Sequence, residues 1–481
     1  MDFLNAAVDS INTLLWSYVL IVVLVGCGLY FTLNTGLVQL RMLPEMFRLL
    51  TEGIGRKTEG KAISSFQAFC VSTASRVGVG NIAGVAIAIV TGGPGAVFWM
   101  WVIAFIGCAT GFVESTLAQI YKLPRGEGKF HGGPAYYIQN ALGQRSVAKL
   151  FAVLISVTFG LIYVSVQANT IALSAQTAFD IPPAATAVFL CLMTAMVIFG
   201  GMTRIAKFTE FLVPIMAGFY ILTALAVTLM HLDQVPAMLG LILHDAFTPN
   251  AAVGGGIGVA VLTGIKRGLF SNEAGEGSVP NAAATADVSH PVKQGLVQSF
   301  GVYVDTWLVC SATAFIVLLS GQYQIGGELT GIALAQQSLA SIFGSFAPSA
   351  VAVMILMFAF SSIVGNYYYG EINIAFFEGK SHLFLQLFRA GVVAMVLFGC
   401  LAELNLVWNL ADLFMGLLCL TNLYAVVRLA KYARIALDSY ISQKDQGIDP
   451  VFDPAILGNE KGIYAWGENA ADGHHPERTT H

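Results

Sequence analysis

Charge is what this sequence has least of. Asp, Glu, Lys and Arg make up 11% of its 481 residues, where an ordinary soluble domain carries roughly a quarter, and 56% of residues are hydrophobic. That balance argues against a soluble fold. The formal net charge is only -4 and no basic stripe with interleaved aromatics appears, so nucleic acid is set aside as a partner. Paired cysteines are missing too. Cys27, Cys70, Cys108, Cys191, Cys310, Cys400 and Cys419 stand singly, without the close spacing of a metal or redox motif, and read as small apolar packers. No histidine falls inside a long apolar run, which leaves no material for a buried metal cluster or a His proton relay. Nor does a basic segment precede the first apolar run, since the first Lys or Arg is Arg41; the first run is expected to be retained as a helix rather than cleaved as a leader.

What the chain has instead is a succession of apolar runs of about 20 residues, the length a helix needs to cross roughly 30 Å of hydrocarbon. They predict an all-α polytopic membrane protein with about eleven spans, near 14–34, 66–91, 96–121, 149–176, 184–201, 208–230, 253–276, 294–320, 349–378, 384–402 and 405–428. Lys and Arg fall in alternate loops only. Arg41, Arg48, Arg56, Lys57 and Lys61 lie in one, Lys122, Arg125, Lys129 and Arg145 in the next but one, and Arg204, Lys207, Lys293 and Lys380 in later loops of the same parity. The intervening loops, including 231–252 and 321–348, hold none. Cytoplasmic loops collect basic residues, so the N-terminus is expected outside the cell membrane and the C-terminus in the cytosol.

Three cations lie deeper in the spans, where a charge facing lipid is costly: Arg76, Lys266 and Arg267. Their neighbourhoods repeat. Residues 76–84 read RVGVGNIAG and residues 267–275 read RGLFSNEAG, with Arg, Asn, Ala and Gly in register. The second copy begins five spans after the first, and an odd step reverses its direction through the membrane. The expected architecture is a peripheral helix and cytosolic loop (1–64), a five-helix repeat (65–231), an inverted five-helix repeat (253–428) and a polar tail (429–481), with the first helix of each repeat broken near the midplane.

Glycine supplies the breaks. Gly78, Gly80 and Gly84 surround Asn81, and so many poor helix formers predict that Val77–Asn81 unwinds. Unwound backbone in a membrane must line a cavity or bind something. Its free N–H groups suit a carboxylate, and its carbonyls with the Asn81 oxygen suit Na⁺; the plainer reading is that the glycines only allow close helix packing. Gly264, Gly268, Gly275 and Gly277 repeat the pattern in the seventh span, where Glu273 and Glu276 are expected to neutralise Lys266 and Arg267 as a gate or structural ion-pair set. Ser361 and Ser362, followed by Asn366, offer hard oxygen ligands in the ninth span, although Ser in a membrane helix more often bonds a carbonyl one turn back. Gln167 sits with Ser165 and Asn169 in the fourth span, able to serve a zwitterion or a plain interhelical bond. The remaining intramembrane acids, Glu114, Asp305, Glu371 and Asp412, read as partners for the buried cations.

Four segments in order carry a resemblance: Gly80-Asn-Ile-Ala-Gly84, Gly92-Gly-Pro-Gly-Ala-Val-Phe-Trp-Met-Trp101, Gly132-Gly-Pro134 and Phe270-Ser-Asn-Glu-Ala-Gly-Glu-Gly-Ser278. From about residue 10 to about 455 the chain resembles the alanine or glycine:cation symporters, the sodium:alanine symporter family of the amino acid, polyamine and organocation superfamily. The resemblance implies a five-plus-five inverted-repeat fold and uptake of a small neutral amino acid, with sodium as coupling ion and no other cofactor. It implies a substrate site at Gly78, Val79, Gly80, Gln167, Phe270, Asn272 and Asn366, the N–H groups of Val79 and Gly80 holding the carboxylate. It implies sodium sites at Asn81 and at Ala74, Val77, Ser361 and Ser362. Glu276 and Arg76 depart from the pattern, the first standing where an uncharged residue such as Met is implied.

Two alternatives stay open within transporters: proton coupling through Glu276 or another acid, and a preference for glutamine. A channel would need a continuous pore lined by rings of charge or carbonyls, where one chain with a pseudo-twofold repeat supplies two broken helices. An enzyme would need acid, base and nucleophile at recognisable spacing, which the spans do not show. Beyond about residue 445 the chain turns polar and is expected to be disordered in the cytosol or to lie over its loops.

Overall fold

The computed structural model describes residues 2–54, 62–126, 129–199, 202–248, 258–377 and 382–467. The start of the seventh span, the basic residues Arg56, Lys57, Lys61 and Lys380, and the tail beyond Gly467 lie outside them. Among the described residues, seven helices are long and apolar enough to cross a membrane, and two further pairs qualify together but bend at a short break.

Helix α1 (Ala7–Asn34) is only one-third buried and leans on the last helix. Its contacts there are polar anchors in an apolar seam: Asn12 Nδ2 donates to the Asn409 carbonyl at 2.9 Å and Trp16 Nε1 to that of Asp412 at 3.1 Å. A short amphipathic helix α2 (Leu43–Gly53) follows. The first repeat begins with α3 (Ser65–Arg76), held at its start by a reciprocal Ser64–Gln67 capping box. It continues through α4 (Gly80–Gly92), α5 (Gly95–Ile120), α6 (Pro134–Asn140), α7 (Arg145–Phe179), α8 (Pro183–Ile198) and α9 (Met202–Met230). Between α5 and α6, Leu123–Pro124 pairs antiparallel with Phe130–His131 in a two-stranded hairpin, Leu123 opposite His131.

Where the inverted repeat is expected, over 253–428, lie α11 (Val259–Asn272), α12 (Val279–Ala283), α13 (Pro291–Ser320), α15 (Ala347–Ala375), α16 (His382–Leu401) and α17 (Leu404–Asp445), the last running beyond that range. Both long loops without basic residues contain a helix. α10 (Val235–Ala246) turns back by 105° from α9, and α14 (Gly331–Phe343) packs between α13 and α15. Their apolar faces need cover: Asp245 Oδ2 accepts from the Gly95 amide at 2.8 Å, and Gln336 Nε2 reaches the Ser174 carbonyl at 3.2 Å.

The polar tail is ordered as far as it is described. Phe452, Ile463 and Trp466 are buried against the face where Lys122 and Lys293 collect, hereafter the basic face. The Phe452 amide bonds the Ser289 carbonyl at 3.0 Å, Lys293 pairs with Asp449 at 2.6 Å, and Trp466 Nε1 donates to the Gln119 carbonyl at 2.8 Å. Of the two expectations for this stretch, lying over the loops is what the structure shows. Its aromatic residues, sparse among polar ones, provide the anchors.

Candidate functional site

Helix α3 ends at Arg76 and α4 starts at a 50° angle to it. Val77 turns extended, at φ −80° and ψ 90°, and Val77–Gly78 form the break. Gly78 is required by what surrounds it: a Cβ there would lie 2.2 Å from Ser362 Oγ and 3.0 Å from Gln167 Oε1. The freed amides have side-chain acceptors. The Gly78 N–H donates to Asn81 Oδ1 at 2.9 Å, and the Val79 N–H to Gln167 Oε1 at 3.1 Å. Gly80 backs onto Phe270, whose ring stands between those of Tyr163 and Trp408, each 4.8 Å away between centroids.

Two oxygen-rich clusters flank this break. In the first, Ser362 Oγ lies 2.9 Å from the Ala74 carbonyl and 3.5 Å from that of Val77. Ser362 Oγ also lies 3.1 Å from the Phe358 carbonyl of its own helix, whereas Ser361 bonds that carbonyl alone, at 2.7 Å, and does not join the cluster. In the second cluster, Asn81 Nδ2 donates to Asp305 Oδ1 at 2.6 Å and to Ser271 Oγ at 2.8 Å. Ser271 and Thr306 donate to Asp305 Oδ2 at 2.7 and 2.9 Å, and Thr313 Oγ1 to the Asn81 carbonyl at 2.6 Å. Asp305 thus partners neutral groups, and no ion pair holds it among the described residues. Sequence reasoning assigned it to a buried cation and overlooked Ser271 and Thr313; the signal was an acid in mid-span, where ionisable residues mark ion paths by default.

The second break falls later than glycine content alone suggests. α11 runs unbroken to Asn272, and the chain then turns through Glu273 (φ 58°), Gly275 (φ 99°) and Gly277 (φ 78°) before α12. Gly264 and Gly268 serve close packing instead, with Ala96 O and Ile103 Cγ2 within 2.4 and 2.6 Å of a virtual Cβ. Asn272 caps this turn, accepting from the Ala274 amide at 3.0 Å and facing Thr306 at 3.4 Å; no contact of the described residues brings it to Gly78–Val79. Asn366 accepts from Ser75 Oγ at 2.7 Å, and the same hydroxyl lies 2.7 Å from Glu273 Oε1.

The expected neutralisation of Lys266 and Arg267 by Glu273 and Glu276 does not occur. Arg267 donates to Asp412 Oδ1, stacks its guanidinium 4.6 Å from the Trp408 ring, and shares Asp412 with Lys266 at 3.4 Å. Glu273 and Glu276 lie beyond the helix end, bonded to Ser75 and Ser278 and to Tyr163 respectively. Arg76 is also separate: it is buried, and its Nη1 donates to the Gln298 carbonyl at 3.0 Å. Of the four remaining acids, Glu371 and Asp412 do pair with cations (Arg389 at 2.9 Å, and Arg267), whereas Glu114 accepts from the Gly275 amide at 3.1 Å and Asn422 Nδ2 at 2.8 Å.

A cavity of about 420 Å³ reaches this region from the face opposite the basic one, lined among others by Ile87, Thr263, Thr330, Asn405 and Asn409. Arg267, Lys266, Asp412 and Trp408 form its wall on the side of Phe270.

Two opposed broken helices that leave buried polar groups between repeats define a secondary transporter of the five-plus-five inverted-repeat class. A solved mutant of a manganese transporter from Eremococcus coleocola shares this fold, covering 85% of this chain and 95% of its own, with a TM-score of 0.52 at 14% identity. The chain belongs to the sodium:alanine symporter family, whose model matches residues 1–454. It is 50% identical over 465 residues to the probable sodium/glutamine symporter GlnT of Bacillus subtilis, covering 97% of this chain and 96% of that one. Identity to the amino-acid carrier protein AlsT of the same organism is 48% over 466 residues, 97% and 98% of the two chains. For the sodium/alanine symporter AgcS of Methanococcus maripaludis it is 37% over 440 residues, 89% and 95%. The protein is a multi-pass membrane transporter, as its relatives are named transporters, carriers or symporters.

Proposed function

We propose that this protein takes up a small neutral amino acid, alanine or glycine, by sodium-coupled symport across the cell membrane, with its N-terminus outside and its C-terminus in the cytosol. The observation that carries the reading is the break at Val77–Gly78, where Val79 N–H, Gln167, Ser362 and Asn81 converge. Gln167 Oε1 accepts from the Val79 amide as a substrate carboxylate oxygen would. In the loaded state the carboxylate takes over that amide and the Gln167 side chain turns to the zwitterion. Gly78 and Gly80 leave room for it, and the Phe270 ring closes over a short side chain.

Sodium binds where oxygens are already gathered. One ion uses the carbonyls of Ala74 and Val77 with Ser362 Oγ; a second uses Asn81 with Asp305 and Ser271, whose carboxylate supplies the charge that neutral oxygens lack. Ion and carboxylate then stabilise each other, which couples their movement. A cation entering an interior-negative cell gains about 2.3 kcal/mol per 100 mV. The Arg267–Asp412 pair with Trp408 acts as the gate between the outward cavity and the site, and rocking of the helices that carry the breaks exposes the site alternately to each face.

Glutamine is the second substrate reading, favoured by the 50% identity to a probable sodium/glutamine symporter. Uptake of radiolabelled L-alanine into proteoliposomes tests both readings, comparing an inward Na⁺ gradient, an inward H⁺ gradient and neither, with glycine and L-glutamine as competitors. The expected result is Na⁺-dependent uptake that Asn81→Ala abolishes and that glycine suppresses more strongly than glutamine. Uptake driven by the proton gradient alone overturns the sodium assignment.

A further inference from the structure

Around the second break the charges do not balance. Glu114, Glu273, Glu276 and Asp305 are each 2% exposed or less, and the guanidinium buried with them is that of Arg76. Arg76 acts electrostatically on Glu114, Glu273 and Asp305. Glu114 and Asp305 also have hydrogen-bond donors on both oxygens, a backbone amide and Asn422 for Glu114 and Asn81 with Ser271 and Thr306 for Asp305; Glu273 has Ser278 on one oxygen and, on the other, the Ser75 hydroxyl that it shares with Asn366.

Glu276 differs on each count. It is fully buried, its Oε2 accepts from the Tyr163 hydroxyl at 3.0 Å, and its Oε1 has no partner. The titratable groups that face it are Tyr163 from α7, Glu114 from α5, Cys419 from α17 and Glu273 in its own segment, none of them a cation. A carboxylate with one donor, two like charges nearby and no countercharge is costly in a membrane interior, whereas a carboxylic acid there costs no more than an unpaired hydroxyl.

We propose that Glu276 is a proton-binding site of the transport cycle, taking up a proton at Oε1 from water at one face and releasing it when the second break opens to the other. The inference rests on the transport reading above. The geometry also ties this proton to the substrate. Tyr163, whose hydroxyl bonds Glu276, lays its ring 4.8 Å from that of Phe270, and Phe270 packs on Gly80 at the first break. A change of charge at Glu276 alters what the Tyr163 hydroxyl bonds, and through the two rings it shifts the wall of the substrate site.

The test is equilibrium binding of radiolabelled L-alanine to the purified full-length protein at saturating Na⁺, followed across the range in which carboxyl groups titrate, for wild type, Glu276→Gln and Tyr163→Phe. Wild-type affinity is expected to change with pH, by up to about tenfold per unit, the limit for one linked proton. Glu276→Gln is expected to be flat. Tyr163→Phe keeps the dependence with its midpoint at higher pH, because the carboxylate has lost its donor. A pH-independent wild type, a Glu276→Gln profile that still follows pH, or a Tyr163→Phe profile superposable on wild type overturns the inference. The last comparison decides it if Glu276→Gln does not fold. Failure of alanine to bind with Na⁺ at any pH overturns the transport reading and this inference together, whereas Na⁺-dependent but pH-independent binding removes only the proton.

Discussion

Ser362 Oγ, midway along α15, lies 2.9 Å from the Ala74 carbonyl at the end of α3 and 3.1 Å from the Phe358 carbonyl of its own helix, and so links the two helices. Its neighbour Ser361 points the same atom only at its own helix. If the Ala74–Val77 carbonyls are a sodium site, the two serines separate cleanly. Ser362→Ala is expected to raise the half-saturating Na⁺ concentration for uptake about tenfold or more, the worth of roughly 1.4 kcal/mol. Ser361→Ala should stay within about twofold, because its hydroxyl serves a backbone carbonyl that the helix already satisfies. Sodium titrations of uptake by both variants check this, and equal effects would remove the site.

Gly78 offers a second test, one of space rather than charge. Its missing Cβ leaves Ser362 Oγ and Gln167 Oε1 free to approach the break, at 2.2 and 3.0 Å from where that atom would be. Gly78→Ala is therefore expected to abolish uptake while the protein still runs as a monodisperse species on size exclusion, since Ser362 and Gln167 can turn aside at a cost of about 1–3 kcal/mol. Normal uptake by this variant would show that the close approach has no part in transport.

Much of this architecture was legible because membrane physics narrows the menu. Long apolar runs can only be helices there, and a constant offset between Arg76–Gly84 and Arg267–Gly275 pointed to the pair of breaks. Exact break positions were not legible, since glycine serves both unwinding and close packing: Gly264 and Gly268 pack, Gly275 and Gly277 turn, and nothing local in the sequence separates them. Partners of buried charges were equally out of reach. Lys266 and Arg267 have Glu273 near in sequence, yet the acid they meet is Asp412, 145 positions from Arg267. The same holds for Asp305, whose surroundings depend on Asn81 and Ser271 arriving from two other helices.

Asp412 carries two cations of unequal dependence. Arg267 is nearly buried and stacked on Trp408, while Lys266 stands 3.4 Å off with its side chain 18% exposed. Asp412→Asn leaves a buried guanidinium without its countercharge, a loss of about 3–5 kcal/mol. The variant is expected to unfold at a lower temperature in detergent and to lose most uptake. Lys266→Met should cost far less, because at 3.4 Å Lys266 is the more distant and more solvated partner of Asp412 and its stem can still pack against Trp16, whose ring lies 5.3 Å from the ammonium. Thermal unfolding of both variants, with uptake alongside, checks the order; a milder Asp412→Asn would mean that the pair is not what closes the cavity.

The tail that lies over the basic face should loosen in acid, and His290 is the reason. It caps α13 by accepting from the Val292 amide at 3.2 Å through Nδ1, and the rings of Tyr440 and Phe452 enclose it at 5.2 and 5.4 Å. Burial pushes its pKa down to about 3, with the Lys293 charge adding to the effect and Asp449 opposing it. The docked form therefore holds a neutral ring, whereas the released form takes up a proton near pH 6.5. As pH falls through the window from about 6.5 to about 3, the released state binds more protons than the docked one, and docking weakens by about 1.4 kcal/mol per unit. Above that window the contribution is constant. Hydrogen exchange of the segment around Phe452, measured near pH 7 and near pH 5 with the intrinsic rate corrected, should show protection lost by about 2 kcal/mol at the lower pH. His290→Gln keeps an acceptor for the Val292 amide but cannot titrate, so its protection should stay level between the two conditions. If the variant loses protection as the wild type does, the acid sensitivity belongs to another group and His290 is only a cap.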